Sequence, residues 1–382
     1  MNLFLLVFFA LYGTTHLYFF LKVRAALTPG HLVSFGAAVF LLAMTGAPIL
    51  VRMLEKEGME GAARVAAYVG YIWMGFLFLF LSASVLVDIY RFVLYGVARL
   101  SRGDISPWIP GHRAALAIPL AWGAAAAVYA WFEAREIKVE RVAIRSPKIS
   151  KTVGRVTVVQ ISDVHLGLIV REERLQAMLA RVRQANPDIL VSTGDLVDGQ
   201  ISGLAGLAEL LQGVEPRYGK YAVTGNHELY AGLKPSLAFM RSAGFTLLRG
   251  EAVTIPGIVT IAGVDDPAIA RYAGSAAAEE DRLLEKAPEE TFAILLKHRP
   301  APPEGRAGRF DLQLSGHVHK GQLFPFNLVT YLFYPVRAGM NRISRDAYLY
   351  VSRGTGTWGP PMRFLAPPEV TVIELLPPEK GA

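Results

Sequence analysis

Apolar residues fall into two regimes along the chain. In the first third they form unbroken runs: residues 1–21, 25–51, 65–87 and 114–132 contain no Asp, Glu, Lys or Arg. Each run is long enough to cross about 30 Å of hydrocarbon as a helix. The pattern predicts four transmembrane helices, at about 2–21, 32–51, 65–87 and 114–132, forming a membrane domain over 1–134. The first run does not read as a cleaved signal peptide, because it lacks a basic leading segment, its apolar core is too long and no small-residue cleavage site follows. From residue 137 the pattern changes to short β-branched runs alternating with amphipathic stretches, which predicts one α/β domain over 137–376. Residues 377–382 read as a loose tail.

Within that domain the periodicity predicts strands at 156–161, 188–193, 221–224, 258–262, 292–296, 311–315, 348–352 and 370–375. Helices are predicted at 172–184, with Leu175, Met178, Leu179 and Val182 on one face, and around 204–211, 234–242 and 278–286.

Composition adds exclusions. The chain has no cysteine, which removes disulfides, thiolate zinc sites, iron–sulfur clusters and a cysteine nucleophile. The net charge of +7 is spread thinly, with 10 Lys/Arg against 7 Asp/Glu in residues 1–136 and 29 against 25 in 137–382. A nucleic-acid binder concentrates its basic residues on a face or in a run, so no stable nucleic-acid partner is expected. Among the short loops, Lys22–Arg24 and 91–113 hold six Lys/Arg on one face, against Arg52, Lys56 and Arg64 on the other. This asymmetry predicts a multi-pass cell-membrane protein with its large domain on the extracytoplasmic side. The basic stretch 135–151 pulls the other way. His16 and Asp88 are read as anchors near span ends, with Asp88 pairing Arg91 one turn on. The spans therefore read as an anchor, not as a transport path.

Five predicted strands end in residues that bind metals. In order they carry Ser162-Asp163-Val164-His165, Gly194-Asp195, Gly225-Asn226-His227-Glu228, Lys297-His298 and Gly316-His317-Val318-His319. Ligands of open α/β sheets gather at the carboxyl edge of the strands. In extended backbone, side chains two apart point the same way, so Asp163 with His165, and His317 with His319, are each spaced to grip one ion. Singly these pieces are weak, since an Asp-x-His pair is usually a surface feature and Gly-Asp usually a turn. Five in order at strand ends point to a metal site. Seven candidate ligands (Asp163, His165, Asp195, Asn226, His298, His317 and His319) exceed what one ion needs, which predicts two divalent ions.

The ordered pattern D-x-H, GD, GNH[DE], a lone His and GHxH resembles that of the calcineurin-like metallophosphoesterases over about 137–376. The chain is most similar to the membrane-attached branch, through YAVTGNHELY at 221–230, GVDDP at 263–267, QLFPFN at 322–327 and YVSRGTGTWGPPM at 350–362. The resemblance implies a four-layer αββα sandwich behind the four transmembrane helices. It implies that Asp163, His165 and His319 hold one ion, that Asn226, His298 and His317 hold the second, and that Asp195 bridges them. His227 is implied as the catalytic residue that protonates the leaving group or stabilises developing charge, and Glu228 as the residue that orients it. Lys297 and Lys320 stand where relatives often have small residues; the first reading is that they are solvated lysines, the second that, flanking the ligands, they alter phosphate affinity or substrate choice. Oxygen and imidazole donors suit Mn, Fe, Zn or Co.

The implied activity is hydrolysis of phosphodiester or lipid-linked pyrophosphate bonds by a dimetal-activated hydroxide. The expected partners are the bilayer and a phosphorylated small-molecule or lipid substrate. The alternatives are a nuclease or nucleotide phosphodiesterase and, further off, a non-enzymatic membrane sensor or scaffold.

Overall fold

The computed structural model describes residues 2–100, 104–199, 203–273, 283, 285, 288–301, 310–345 and 347–379. The chain divides into two units. One comprises Met1–Phe132 with Gly359–Phe364, the other Glu133–Trp358 with Leu365–Ala382.

The first unit consists of helices α1 (Asn2–Leu27), α2 (His31–Lys56), α3 (Glu60–Leu100) and α4 (His112–Glu133). All four are long and apolar enough to cross a membrane, where a helix satisfies its backbone hydrogen bonds internally. Tyr12, Leu77, Phe80 and Leu116 form the centre of their packing. α3 runs 41 residues, well beyond the predicted span. The charges from Asp88 onward end the apolar run, but Asp and Arg do not stop a helix as Pro would. His16, expected near a span end, is instead buried within the bundle. Its Nδ1–H donates to the Tyr12 carbonyl at 2.8 Å and its Nε2 accepts from Trp73 Nε1 at 2.9 Å. Asp88 accepts from Tyr18 Oη at 2.6 Å and Lys22 Nζ at 2.8 Å, with Arg91 at 3.8 Å.

The second unit holds two six-stranded sheets. The first runs in the order β1 (Lys138–Arg145), β12 (Glu369–Leu376), β2 (Val156–Ile161), β3 (Ile189–Thr193), β4 (Lys220–Val223) and β5 (Thr246–Leu247). The second runs β10 (Gly339–Arg342), β11 (Tyr348–Val351), β9 (Leu312–Ser315), β8 (Phe292–Leu296), β7 (Val259–Gly263) and β6 (Glu251–Ile255). β2 to β5 are mutually parallel, as are β7, β8, β9 and β11.

Strand alternation assigns each side chain to a layer. Val156, Val158, Ile189 and Val191 of the first sheet pack between the sheets against Ile261, Ile294, Leu312 and Leu314 of the second. The alternate residues Val159, Ile161 and Leu190 face outward, against Leu175, Met178, Leu179 and Val182 of α5 (Glu172–Gln184). The helices expected around 204–211 and 234–242 form as α6 (Ala205–Gln212) and α8 (Leu233–Ser242), and α9 (Pro267–Ala273) follows β7. Ala262, Ala293, Leu295 and Phe310 form a smaller core on the far side of the second sheet. Two packed sheets result, with α5, α6 and α8 against the outer face of the first.

Four strands, β1, β5, β6 and β10, were not legible in the pattern. β1 (KVERVAIR) alternates charges on an exposed edge and reads as a basic stretch until its parallel pairing with β12 is seen. The helix expected over 278–286 falls outside the described residues apart from Leu283 and Glu285. At the start of the tail, Arg145 donates to the Pro377 carbonyl at 3.2 Å and pairs with Glu379 at 2.9 Å.

Candidate metal centre

The loops following β2, β3, β4, β8 and β9 carry the seven predicted donors, and six of them, Asp163, His165, Asp195, His298, His317 and His319, converge. His319 Nε2 lies 3.3 Å from Asp163 Oδ1 and 3.1 Å from His165 Nε2. His298 Nε2 lies 3.1 Å from Asp195 Oδ2 and 3.2 Å from His317 Nδ1. Asp195 Oδ2 is also 3.9 Å from His165 Nε2, so its carboxylate stands between the two groups. In each of the triads Asp163–His165–His319 and Asp195–His298–His317, one donor atom per residue lies within 4.8 Å of the others.

The local backbone differs from the extended geometry that the spacing predicts. Asp163, His165, Asp195, His317 and His319 all have positive φ, between 48° and 71°. Left-handed backbone costs a non-glycine residue roughly 1–2 kcal/mol, and such strain collects where a site over-determines it. Two-residue spacing therefore does not place His317 and His319 together. His317 turns toward His298, and His319 toward Asp163 and His165. Glycine permits the crowding: a Cβ on Gly316 would strike the Asp163 carboxylate, and one on Gly225 the Asp195 carboxylate.

Hydrogen bonds fix several donors from behind. His298 Nδ1–H donates to the Thr193 carbonyl at 2.8 Å, which aims Nε2 at Asp195. The backbone N–H of His317 donates to Asp163 at 2.9 Å, and Ser162 Oγ donates to the same carboxylate. By contrast, Asn226 Oδ1 and His165 Nδ1 are buried with no hydrogen-bond partner. A buried carbonyl oxygen left without a donor costs about 1–3 kcal/mol. Asn226 fits a site whose missing partner is a cation.

Charge behaves accordingly. Burial opposes ionisation of Asp195, but the His298 and His227 rings outweigh it and hold the carboxyl well below its ordinary value. Burial likewise works against the His298 imidazolium, yet Asp195 carries it up to about 10. Burial and neighbouring imidazoles push His165 and His317 down to about 3, so both stay neutral with free lone pairs. Protons and divalent cations compete for such donors.

His227 stands beside this cluster on the five-residue helix α7 (Asn226–Tyr230). Its ring meets that of His165 edge-on at 4.6 Å, and its Nδ1–H donates to Asp198 Oδ1 at 3.0 Å. Burial lowers its basicity, but Asp195 and Asp198 prevail and raise it to about 9.

The expected role of Glu228 is corrected. Its carboxylate accepts the backbone N–H groups of Gly225, Leu196, Asp195 and Val197 at 2.6–3.3 Å, tying the β3 and β4 loops together. Asp198 orients the His227 ring instead. Aromatic rings rim the cluster: Tyr230 and Trp358 lie 5.3 and 5.6 Å from His227, and Tyr334 lies 5.4 Å from His317. Gln322 clasps the Trp358 backbone through both its amide N and O, at 2.7 and 2.9 Å. Arg299, next to His298, grips the buried Asp266 bidentately at 2.7 and 3.0 Å. The sequence signals for Asp198 and Trp358 were present, three residues after Asp195 and inside the 350–362 segment, but only their spatial contacts assign them to the site. Lys297 is half-buried and Lys320 exposed.

Residues 156–321 match the calcineurin-like phosphoesterase family. An Aquifex aeolicus protein described as an uncharacterized metallophosphoesterase is 40% identical over 248 residues, covering 65% of this chain and 95% of that protein. The transmembrane protein with metallophosphoesterase domain of Danio rerio is 35% identical over 250 residues, covering 62% of this chain and 57% of that protein. The solved 5'-nucleotidase precursor of Thermus thermophilus aligns with a TM-score of 0.33 at 18% identity, over 58% of this chain and 54% of that one. With nearly the whole Aquifex protein matched at that identity, the chain belongs to the calcineurin-like metallophosphoesterase family, hydrolases of phosphoester bonds.

Proposed function

We propose that this chain is a membrane-anchored phosphoesterase that uses two divalent cations to hydrolyse phosphodiester or lipid-linked pyrophosphate bonds. The observation that carries the reading is the pair of donor triads, Asp163–His165–His319 and Asp195–His298–His317, with the buried, unpartnered Asn226 Oδ1 adjoining His227 in the chain. In this reading Asp163, His165 and His319 hold one cation, Asn226, His298 and His317 hold the other, and Asp195 bridges. The oxygen and imidazole donors fit Mn²⁺, Fe, Co²⁺ or Zn²⁺. When bound, such a pair neutralises phosphoryl charge and supplies a nucleophile from water at neutral pH.

His227 serves as the general acid. Asp198 holds its Nδ1 proton, which leaves Nε2 to protonate the departing oxygen, and its raised basicity keeps that proton available. The bidentate Asp266 pair fixes Arg299 beside His298. Four apolar helices in the same chain support a substrate presented at a bilayer.

The test is the full chain in detergent with Mn²⁺, assayed on an aryl phosphodiester, an aryl monoester, a nucleotide diester and a panel of lipid phosphates. Faster turnover of lipid phosphates or diesters, with about two metal ions per chain, supports the reading. Metal-free protein that keeps its turnover overturns it. The asymmetry of basic loop residues supports an extracytoplasmic domain, which protease access to a carboxy-terminal tag in intact cells checks.

A further inference from the structure

Helix α10 (Phe326–Phe333, FNLVTYLF) has no buried residue. Leu328, Tyr331, Leu332 and Phe333 are 62, 50, 80 and 75% exposed. Other large apolar side chains exposed in the second unit, such as Tyr230 and Tyr272, are scattered along the chain. Residues 321–336 carry no charged side chain, and exposed Lys320 and Arg337 bracket them. The helix is two-faced. Asn327, whose Oδ1 is shielded from solvent, and Thr330, which donates to the Asn327 carbonyl, lie toward one side. Leu328 with Leu332, and Val329 with Phe333, recur at the four-residue spacing of the opposite face.

Both ends of the helix reach the metal centre. The preceding turn, His319–Gly321, contains His319 and packs Gly321 against the Asn327 backbone. The following residue, Tyr334, stacks edge-on to His317 and lies 3.4 Å from Arg299.

We propose that α10 is an interfacial helix that lays its Leu328–Leu332 face into the bilayer surface and so opens the metal centre toward lipid headgroups. Helices with an apolar face and basic flanks bind in the headgroup region in this way. The chain's own four spans supply the bilayer. Lys320 and Arg337 fit an anionic leaflet, whose surface potential attracts such cations. A second copy of the chain would also cover apolar surface, but an uncharged run between two like-charged ends does not complement itself.

The absence of cysteine makes a direct test possible. Leu332→Cys and, as a control on another exposed aromatic position, Tyr272→Cys are each labelled with an environment-sensitive fluorophore. The full-length protein is placed one copy per nanodisc in phosphatidylcholine with phosphatidylglycerol. The expected result is a blue-shifted 332 label quenched by nitroxide-bearing lipid, with the 272 label quenched only by aqueous iodide. Equal iodide quenching at both positions overturns the proposal, as does a 332 signal that appears only when discs carry two copies.

A second arm depends on the phosphoesterase reading. Leu328→Gln with Leu332→Gln should lower turnover of a lipid phosphate in discs by tenfold or more and leave a soluble aryl phosphodiester unchanged. Equal loss on both substrates overturns the docking role. Failure of the phosphoesterase reading would abolish turnover in all proteins without moving the label result, so the two failures are distinguishable.

Discussion

Asp88 in the helix unit and Asp195 in the α/β unit are both ringed by polar side chains, but the rings differ in kind. Around Asp88 stand Tyr18, Lys22 and Arg91, two cations and a hydroxyl that answer one carboxylate. Around Asp195, itself 2% exposed, stand His165, His298 and His227, with Asp163 across the cluster. The first group answers its carboxylate in full, with two cations for one anion. The second gathers lone pairs that face one another and leaves Asn226 Oδ1 unanswered. Such crowding is tolerable only where something positive enters, because isolated buried charge costs far more than a hydrogen bond returns. A carboxylate answered by cations of its own unit suits an anchor, whereas converging imidazole and carboxylate donors suit a site for a cation.

The sharpest way to break that contrast is to remove the shared carboxylate. Asp195→Ala should lose bound metal from both sites and nearly all turnover. Metal analysis beside a phosphodiesterase assay checks it, and full metal content in this variant would sink the bridging assignment. Stripping the wild type with a chelator should give the same loss, restored by Mn²⁺. Next in size is His227→Ala, which should keep its metal while turnover falls about 10²–10⁴-fold, the usual range for a general acid. Loss of metal there would recast His227 as a ligand, a role its membership of a His165–Asp195–His227 triad makes geometrically open.

The two regions also differ in how much the sequence revealed. Charge-free runs of 19 residues or more announce helices without help from tertiary structure, as does the Leu175–Val182 face of α5. The approach of Asp163, His165, Asp195, His298, His317 and His319 was legible because successive strand ends carried them in order. Roles that depend on direction were not legible. Glu228 follows His227 in the chain, yet α7 turns its carboxylate back onto four backbone N–H groups, and Asp198, from another loop, reaches the ring. Pairing of His317 with His319 failed as well, since the backbone there is not extended and His317 faces His298 while His319 faces Asp163 and His165. His16 was misplaced because hydropathy locates a span but not the partner, Trp73, that makes a buried imidazole acceptable.

Asp198→Asn tests the corrected orientation. Its amide can still hydrogen-bond His227 Nδ1 but no longer supports an imidazolium there. Turnover should fall about 10–100-fold, the usual cost of losing an outer-shell partner, with metal content unchanged. If Glu228→Gln gave this selective effect and Asp198→Asn gave none, the roles would revert.

The smallest effect is expected at the other end of the comparison. Asp88→Asn keeps a side chain that accepts from Tyr18 and Lys22 but leaves two cations without their carboxylate. The Asp88 side chain is 37% exposed, and ion pairs at such sites contribute about 0–1 kcal/mol. Thermal unfolding in detergent should therefore shift by no more than a few degrees, while metal content and phosphodiester turnover stay at wild-type levels. A large loss of turnover from Asp88→Asn would mean that the helix unit does more than hold the chain in the membrane, because the Asp88 carboxylate is already answered by Tyr18, Lys22 and Arg91 within that unit.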